Sequence, residues 1–176
     1  MAYFLVSTEM NNNPMPQIAR WFQTIDPRDI TPERAGNIPE WTRLSMQSGE
    51  MTVFSDVLSM PGFLVSSMVY GVMRLYDPQI PYKRMVLLDK AKKDMALYHL
   101  PILPDCNCLL PESELSRDES DIIRGVIDLE KTGREPVIKL GGVTSTHIAF
   151  RLDVVESILR RGAKGLKLTE LEVRGG

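Results

Sequence analysis

Two cysteines and two histidines are all that 176 residues hold, and that scarcity excludes several chemistries at once. Cys106 and Cys108 are too few and too close together for the disulfide framework of a secreted domain. His99 and His147 lie far apart, whereas a zinc-protease helix needs two histidines four residues apart. No closely spaced glycines stand between a strand and a helix, so there is no phosphate-binding loop. Gly141-Gly142 runs into Val143-Thr144-Ser145-Thr146 without a lysine and fails as a Walker loop. Charge of one sign is not in excess either: the net charge is −2 and the pI about 5.7. No global field therefore favours nucleic acid or an anionic membrane, and neither is expected as a partner.

Long apolar runs are also missing. The longest stretch with few charges, residues 57–73, is broken by Pro61-Gly62, and Tyr3-Phe4-Leu5-Val6 is followed at once by Ser7-Thr8-Glu9. Neither a membrane span nor a secretory leader fits these patterns, and the expectation is a soluble protein of the reducing cytoplasm.

What remains is an ordinary globular composition, 43% hydrophobic and 25% charged, on a chain long enough to bury its own core. One domain is expected, with possible lobes at 1–90 and 91–176. The second half carries 29 of the 44 charged side chains, so the first half is the more apolar and holds most of the methionines and both tryptophans.

The clearest organisation lies at the C-terminal end. Pro136-Val137-Ile138-Lys139-Leu140 is a β-branched run that stops at Gly141-Gly142, and His147-Ile148-Ala149-Phe150-Arg151 is a second extended piece. Val154, Val155, Ile158 and Leu159 then recur at helical spacing, which predicts a helix over 153–161. Asp153 stands at its N-cap and Gly162 at its stop. Leu166, Leu168 and Leu171 or Val173 form a closing strand.

The rest of the chain reads in the same way. Strands are predicted at 3–6, 51–54, 63–66, 85–88, 95–103 and 126–129, and a helix at 67–76 ended by Asp77-Pro78. Residues 10–14 form a polar loop. Five prolines make 14–45 irregular, with Trp21-Phe22 and Trp41 as aromatic anchors to the core, or with one tryptophan exposed for a partner. The Met68, Val69, Val72, Met73, Leu75 stripe reads as a core face rather than an adaptable groove. An internal echo at an offset of 86 sets Met68, Val69, Val72 and Met73 on Val154, Val155, Ile158 and Leu159, and Leu64 on Phe150. The fold class predicted is α+β with mixed or antiparallel sheets and two main helices: either two small sheets or one continuous mixed sheet of about five to eight strands, with two strand–helix–strand modules as the arrangement the echo suggests. A third, shorter helix is expected inside 112–124.

Reaction centres are sparse. His99, Cys106 and Cys108 match no common zinc spacing, and a thiolate pair of His99 with Cys106 lies across Pro101 and Pro104 with no third orienting group. His147, among Thr144, Ser145 and Thr146, reads as a strand-end hydrogen-bonding residue. No catalytic, metal or cofactor residue is assigned. The surface signal is acidic. Glu112, Glu114, Asp118, Glu119 and Asp121 crowd around a single Arg117, either as a mimic of a phosphate backbone or as a solvated helix start.

The order of these segments resembles the immunity proteins of bacterial polymorphic toxin systems, specifically immunity protein family eleven. The similarity runs through Ala2-Tyr3-Phe4-Leu5, the Pro-containing region 14–45, Ser55-Asp56-Val57-Leu58 with Phe63-Leu64-Val65-Ser66, Tyr98-His99-Leu100-Pro101, Asp128-Leu129-Glu130-Lys131 and Gly162-Ala163-Lys164-Gly165-Leu166-Lys167-Leu168. One stretch departs from the pattern: Phe150-Arg151-Leu152 stands where a serine would end the late strand, leaving capping to Asp153. The resemblance implies a non-catalytic binder that neutralises a cognate toxin domain without a cofactor. Glu112, Glu114, Asp118, Glu119 and Asp121 are then the candidate interface. The alternatives are a ligand-binding or structural domain with its pocket between the two modules, and a small hydrolase or transferase using His99 with Cys106 or Asp105.

Overall fold

A computed structural model describes residues 1–10 and 14–175. The polar loop predicted at 10–14 falls largely on residues outside that set. The first half of the chain supplies β1 (Tyr3–Thr8), β2 (Gln17–Ile18), the short helix α1 (Trp21–Thr24), β3 (Trp41–Gln47), β4 (Val57–Leu58), β5 (Leu64–Ser66), α2 (Ser67–Tyr76) and β6 (Tyr82–Asp89). The second supplies β7 (Asp94–Pro101), β8 (Asp105–Cys106), β9 (Glu114–Leu115), β10 (Ile122–Arg124), β11 (Val126–Asp128), β12 (Val137–Leu140), β13 (Ile148–Arg151), α3 (Leu152–Arg160) and β14 (Leu166–Arg174).

These elements make an α+β fold with two six-stranded mixed sheets. One has the order β2-β3-β6-β7-β5-β4 and the other β11-β14-β1-β13-β12-β8. Strand β1 thus joins the sheet built by the second half of the chain. Helix α2 connects β5 to β6, and β7 lies between those two strands, antiparallel to both. Helix α3 connects β13 to β14, and β1 lies between them in the same way. The next neighbours agree as well. β3 runs parallel to β6 as β11 does to β14, and β4 runs antiparallel to β5 as β12 does to β13.

The register fixes which residues correspond. Tyr98 of β7 lies between Ser66 and Met85, and Tyr3 of β1 lies between Arg151 and Leu171. Both tyrosines do the same work: Tyr98 Oη donates to the Ser55 carbonyl at 2.8 Å and Tyr3 Oη to the Glu135 carbonyl at 2.7 Å. Val65, not Leu64, corresponds to Phe150, because Val65 faces His99 across the ladder as Phe150 faces Phe4. The offset of 86 is one residue too long there, and a one-residue slip in a strand moves a side chain to the opposite face. Leu64 indeed packs in an outer core with Trp21 and Met85, whereas Val65 and Phe150 share the central one.

That central core holds Val69, Val72 and Met73 of α2 and Val154, Val155 and Ile158 of α3, together with Val65, Phe150 and Phe63. The stripe on α2 is therefore core, as its spacing predicts, except that Leu75 is exposed. Two outer cores back the sheets, one under residues 21–38 and one around Ile127, Ile138 and Leu171.

The helix starts differ. Ser66 caps α2, its Oγ accepting from Val69 N. Helix α3 begins one residue earlier than predicted, with Arg151 at the cap position and no side-chain cap. Asp153 is not the N-cap; it lies in the first turn, where the Arg151 guanidinium holds it at 2.7 and 2.8 Å. The stop at Gly162, with φ 77°, is as predicted.

Asp56 ties the halves together: Oδ1 accepts from Ser66 Oγ at 2.6 Å and Oδ2 from the Lys164 amide at 2.7 Å. Its own amide donates to the Lys164 carbonyl. The Lys164 turn approaches so closely that a Cβ on Gly165, whose φ is 69°, would lie 2.1 Å from Ser55 Oγ.

Two predicted elements are absent. Residues 51–54 form no strand; Thr52 instead closes a turn, its Oγ1 accepting from the Gly49 amide. No third helix forms inside 112–124, where β9 and β10 pair as a hairpin. Ser116 Oγ takes the amides of Ser120 and Asp121, and Asp118 takes that of Ser120, so side chains outcompete the helix ladder. Glu119, with φ 56°, sits in a left-handed conformation a helix does not accept.

Candidate functional site

Strand β3 was hidden in the proline-rich region, and it builds the most distinctive surface of the molecule. Its side chains alternate strictly: Thr42, Leu44 and Met46 are buried, while Trp41, Arg43, Ser45 and Gln47 are exposed. Register then aligns three rows across β3, β6 and β7, namely Trp41–Arg84–His99, Arg43–Val86–Leu97 and Ser45–Leu88–Met95. Helix α2 covers this face only at the His99 end. The remainder is open, with Trp41 56%, Leu97 38% and Met95 66% exposed. Trp41 is therefore no core anchor, and neither is Phe22; of the predicted anchors only Trp21 is buried. Arg84 lies over the Trp41 ring, 4.8 Å from its centroid, in a cation–π contact.

Beside this face, between α2 and the start of β6, lies a pocket of about 230 Å³. His99 forms its floor, stacked on Tyr70 at 4.1 Å with the rings nearly parallel and Nε2 3.3 Å from Ser67 Oγ. Burial, and then the Arg84 charge, push the imidazole below its ordinary pKa. Tyr82 packs edge-on against Tyr70 at 4.7 Å, and burial pushes its phenol well above the usual range. Its Oη is buried and has no hydrogen-bond partner among the described residues. Arg74 reaches the Tyr70 hydroxyl at 3.3 Å. Glu40, on the rim, is held by Lys83, which lowers its pKa.

The predicted acidic surface is the β9–β10 hairpin. Glu112, Glu114, Asp118, Glu119 and Asp121 are all exposed there, but they are not equivalent. Asp118 is structural: it accepts from the hydroxyls of Ser116 and Ser120 at 2.7 and 2.8 Å, which lower its pKa to about 2. Glu114 stands 3.7 Å from Arg124, and Asp121 4.0 Å from His147. Glu112 and Glu119 have no ion-pair partner among the described residues. His147 Nε2 lies 2.7 Å from the Ser120 carbonyl, which matches the strand-end role predicted for it.

The enzymatic constellation is not assembled. His99 lies in the first sheet, while Cys106 and Asp105 lie on β8 at the edge of the second. There Asp105 pairs with Lys139 at 2.8 Å and Cys106 Sγ reaches the Lys131 carbonyl. Burial and the neighbouring Cys106 push the Cys108 thiol up to about 12, which opposes thiolate formation. No group of three or more candidate metal ligands occurs among the described residues. No helix among them is long and apolar enough to cross a membrane. A second cleft, about 530 Å³, is lined by Tyr76, Ile102, Cys106 and Glu135 among others.

No protein-family model matches the chain, and no curated protein sequence matches it.

Proposed function

We propose that this chain is a non-catalytic protein-binding module, an immunity protein that neutralises a cognate bacterial toxin domain in the cytoplasm by direct contact. The observation that carries the reading is the open face of β3, β6 and β7. There an exposed tryptophan stands on an arginine amid Val86, Leu88, Met95 and Leu97. Tryptophan and arginine are the residues that most often dominate binding energy, and a contiguous exposed apolar patch is an unusual feature of a monomeric surface. Arg43 and Arg84 favour a partner that presents carboxylates around an apolar centre. The family resemblance supplies the identity of that partner. The acidic hairpin is a second surface for the same reading, suited to steering a basic domain.

We further infer that the two strand–helix–strand modules are repeats of one unit, supported by the matching strand orders and by the paired tyrosine–carbonyl bonds.

The test is capture of the product of the adjacent gene from the source cells. A stoichiometric toxin domain is expected with the wild-type chain and should be lost with W41A/R43E. An E112Q/E114Q/E119Q/D121N variant, which spares the structural Asp118, measures the hairpin separately. Failure to recover a toxin from cells that express one would sink the reading.

A further inference from the structure

We propose that the pocket bounded by Arg74, Tyr82, Arg84 and His99 is a carboxylate-binding site, taking an acidic side chain of a protein partner or a free organic acid of similar size. The choice of a protein as occupant rests on the proposed function; the carboxylate chemistry does not.

Three observations converge on that pocket. Tyr82 Oη is a buried donor that no atom of the described residues satisfies, and orphaned buried donors in native structures commonly await a ligand or water. Neither guanidinium that lines the cavity is in direct contact with a carboxylate among the described residues. Arg74 meets the Tyr70 hydroxyl and Arg84 the Trp41 ring. The one acidic wall residue, Glu40, is paired with Lys83 and feels the Arg84 charge only through space. A carboxylate entering here would accept from the Tyr82 phenol and from a guanidinium fork, the strong charge-assisted arrangement.

The remaining walls define the ligand further. Ile80, Pro81 and the rings of Tyr70 and His99 are apolar or aromatic, and Pro81 offers no amide. A phosphate dianion, with three oxygens and nearly two charges, needs more donors than this. A carboxylate on a short aliphatic stem matches both parts, a few convergent polar groups set in an apolar wall. The pocket also adjoins the open face, since Arg84 lies in the same row as Trp41 and His99. An acidic side chain of a partner seated on that face is therefore within reach of it.

The test is a titration of the full chain, labelled at arginine Nε and the tyrosine rings, at fixed ionic strength and pH 7. The probes are glutarate, a capped peptide carrying one glutamate, and inorganic phosphate. Saturable shifts at Arg74, Arg84 and Tyr82 are expected with a carboxylate and not with phosphate. Y82F, R74Q and R84Q should each weaken binding about tenfold, one charge-assisted hydrogen bond apiece. Y82F removes an unpaired hydroxyl, so its thermal midpoint should be unchanged or higher, which separates loss of binding from loss of fold. Tighter binding of the peptide assigns the site to a partner's side chain; binding of glutarate alone assigns it to a free acid. No saturable shift with either carboxylate, equal binding of phosphate, or undiminished binding by Y82F would each overturn the proposal. Carboxylate binding without toxin capture would sink the immunity reading and leave this one standing. Toxin capture without carboxylate binding would do the reverse.

Discussion

Replacing Gly165 by alanine tests how tightly the two halves of the chain are locked. Gly165 ends the turn after α3 with φ 69°, and a Cβ there would sit 2.1 Å from Ser55 Oγ, 2.6 Å from Ser55 Cβ and 3.2 Å from its Cα. Gly162 is the internal control. Its φ of 77° is equally left-handed, but nothing lies within 4 Å of its Cβ position. G162A should therefore cost only the conformational penalty, about 1–2 kcal/mol. G165A adds overpacking of about 1–3 kcal/mol, for a total of about 2–5 kcal/mol. Because Asp56 joins the same turn to the α2 cap, relaxation of Lys164 would break the bonds at 2.7 and 2.9 Å and relieves little. Urea unfolding of the two variants, alone and in the S55G background, gives the answer. S55G removes the atoms at 2.1 and 2.6 Å, so G165A should cost less there than in the wild type, while G162A should cost the same in both. Equal costs for G162A and G165A in the wild type would refute the close approach, and with it the tie between the modules.

Three further outcomes are expected. Y98F and Y3F each orphan a carbonyl and should each lose about 1–3 kcal/mol by denaturant unfolding, with near-additive effects because they serve different modules; a neutral Y98F would refute the equivalence of the two bonds. The Asp118 carboxyl should titrate near 2 by NMR, and its support for the hairpin, present above the unfolded value near 4, should fade as pH falls through that window. A midpoint near 4, or no upward shift in S116A/S120A, would argue against its structural role. His99 is held below its ordinary pKa, so the unfolded chain takes up a proton that the folded chain refuses. Stability should fall as pH drops below about 6.5, and H99F should flatten that slope between pH 5 and 7. An unchanged slope would mean that the imidazole is not desolvated.

Where apolar periodicity was uninterrupted, the sequence was readable. Helices α2 and α3 fall within a residue of their predicted ranges because Val69, Val72 and Met73, and Val154, Val155 and Ile158, mark a buried stripe. Strand β3 is masked in the sequence by the prolines on its N-terminal side, although Trp41 to Gln47 alternate between exposed and buried positions. The helix expected inside 112–124 failed for a local reason: serine and aspartate side chains compete for backbone amides, and charge counting does not register that. Arg74, Tyr82, Arg84 and His99 could not have been grouped from the sequence. They come from a helix and two strands, and cross-strand register brings the last two together. Tyr82 carried no signal at all, since an unsatisfied hydroxyl is visible only in three dimensions.

Comparison of the two six-stranded sheets shows which features the fold requires. In the second sheet the residue corresponding to Val86 is Glu172, one step along β14 from Leu171 as Val86 is from Met85. Glu172 is clamped by Arg124 at 2.6 Å and Arg174 at 3.2 Å, so that an ion cluster stands on the face where the first sheet exposes apolar side chains. Strand order, helix placement and the tyrosine–carbonyl bond are common to both and therefore follow from the architecture. Exposed Trp41, Leu97 and Met95 are not, because the same sheet arrangement forms without them. Function resides in sites carried on a fold rather than in the fold itself. The face where two sheets of matching strand order diverge, from an ion cluster to a tryptophan–arginine patch beside an unsatisfied phenol, is accordingly the face that the architecture alone does not explain. That difference, more than the patch taken by itself, favours binding there over the acidic hairpin.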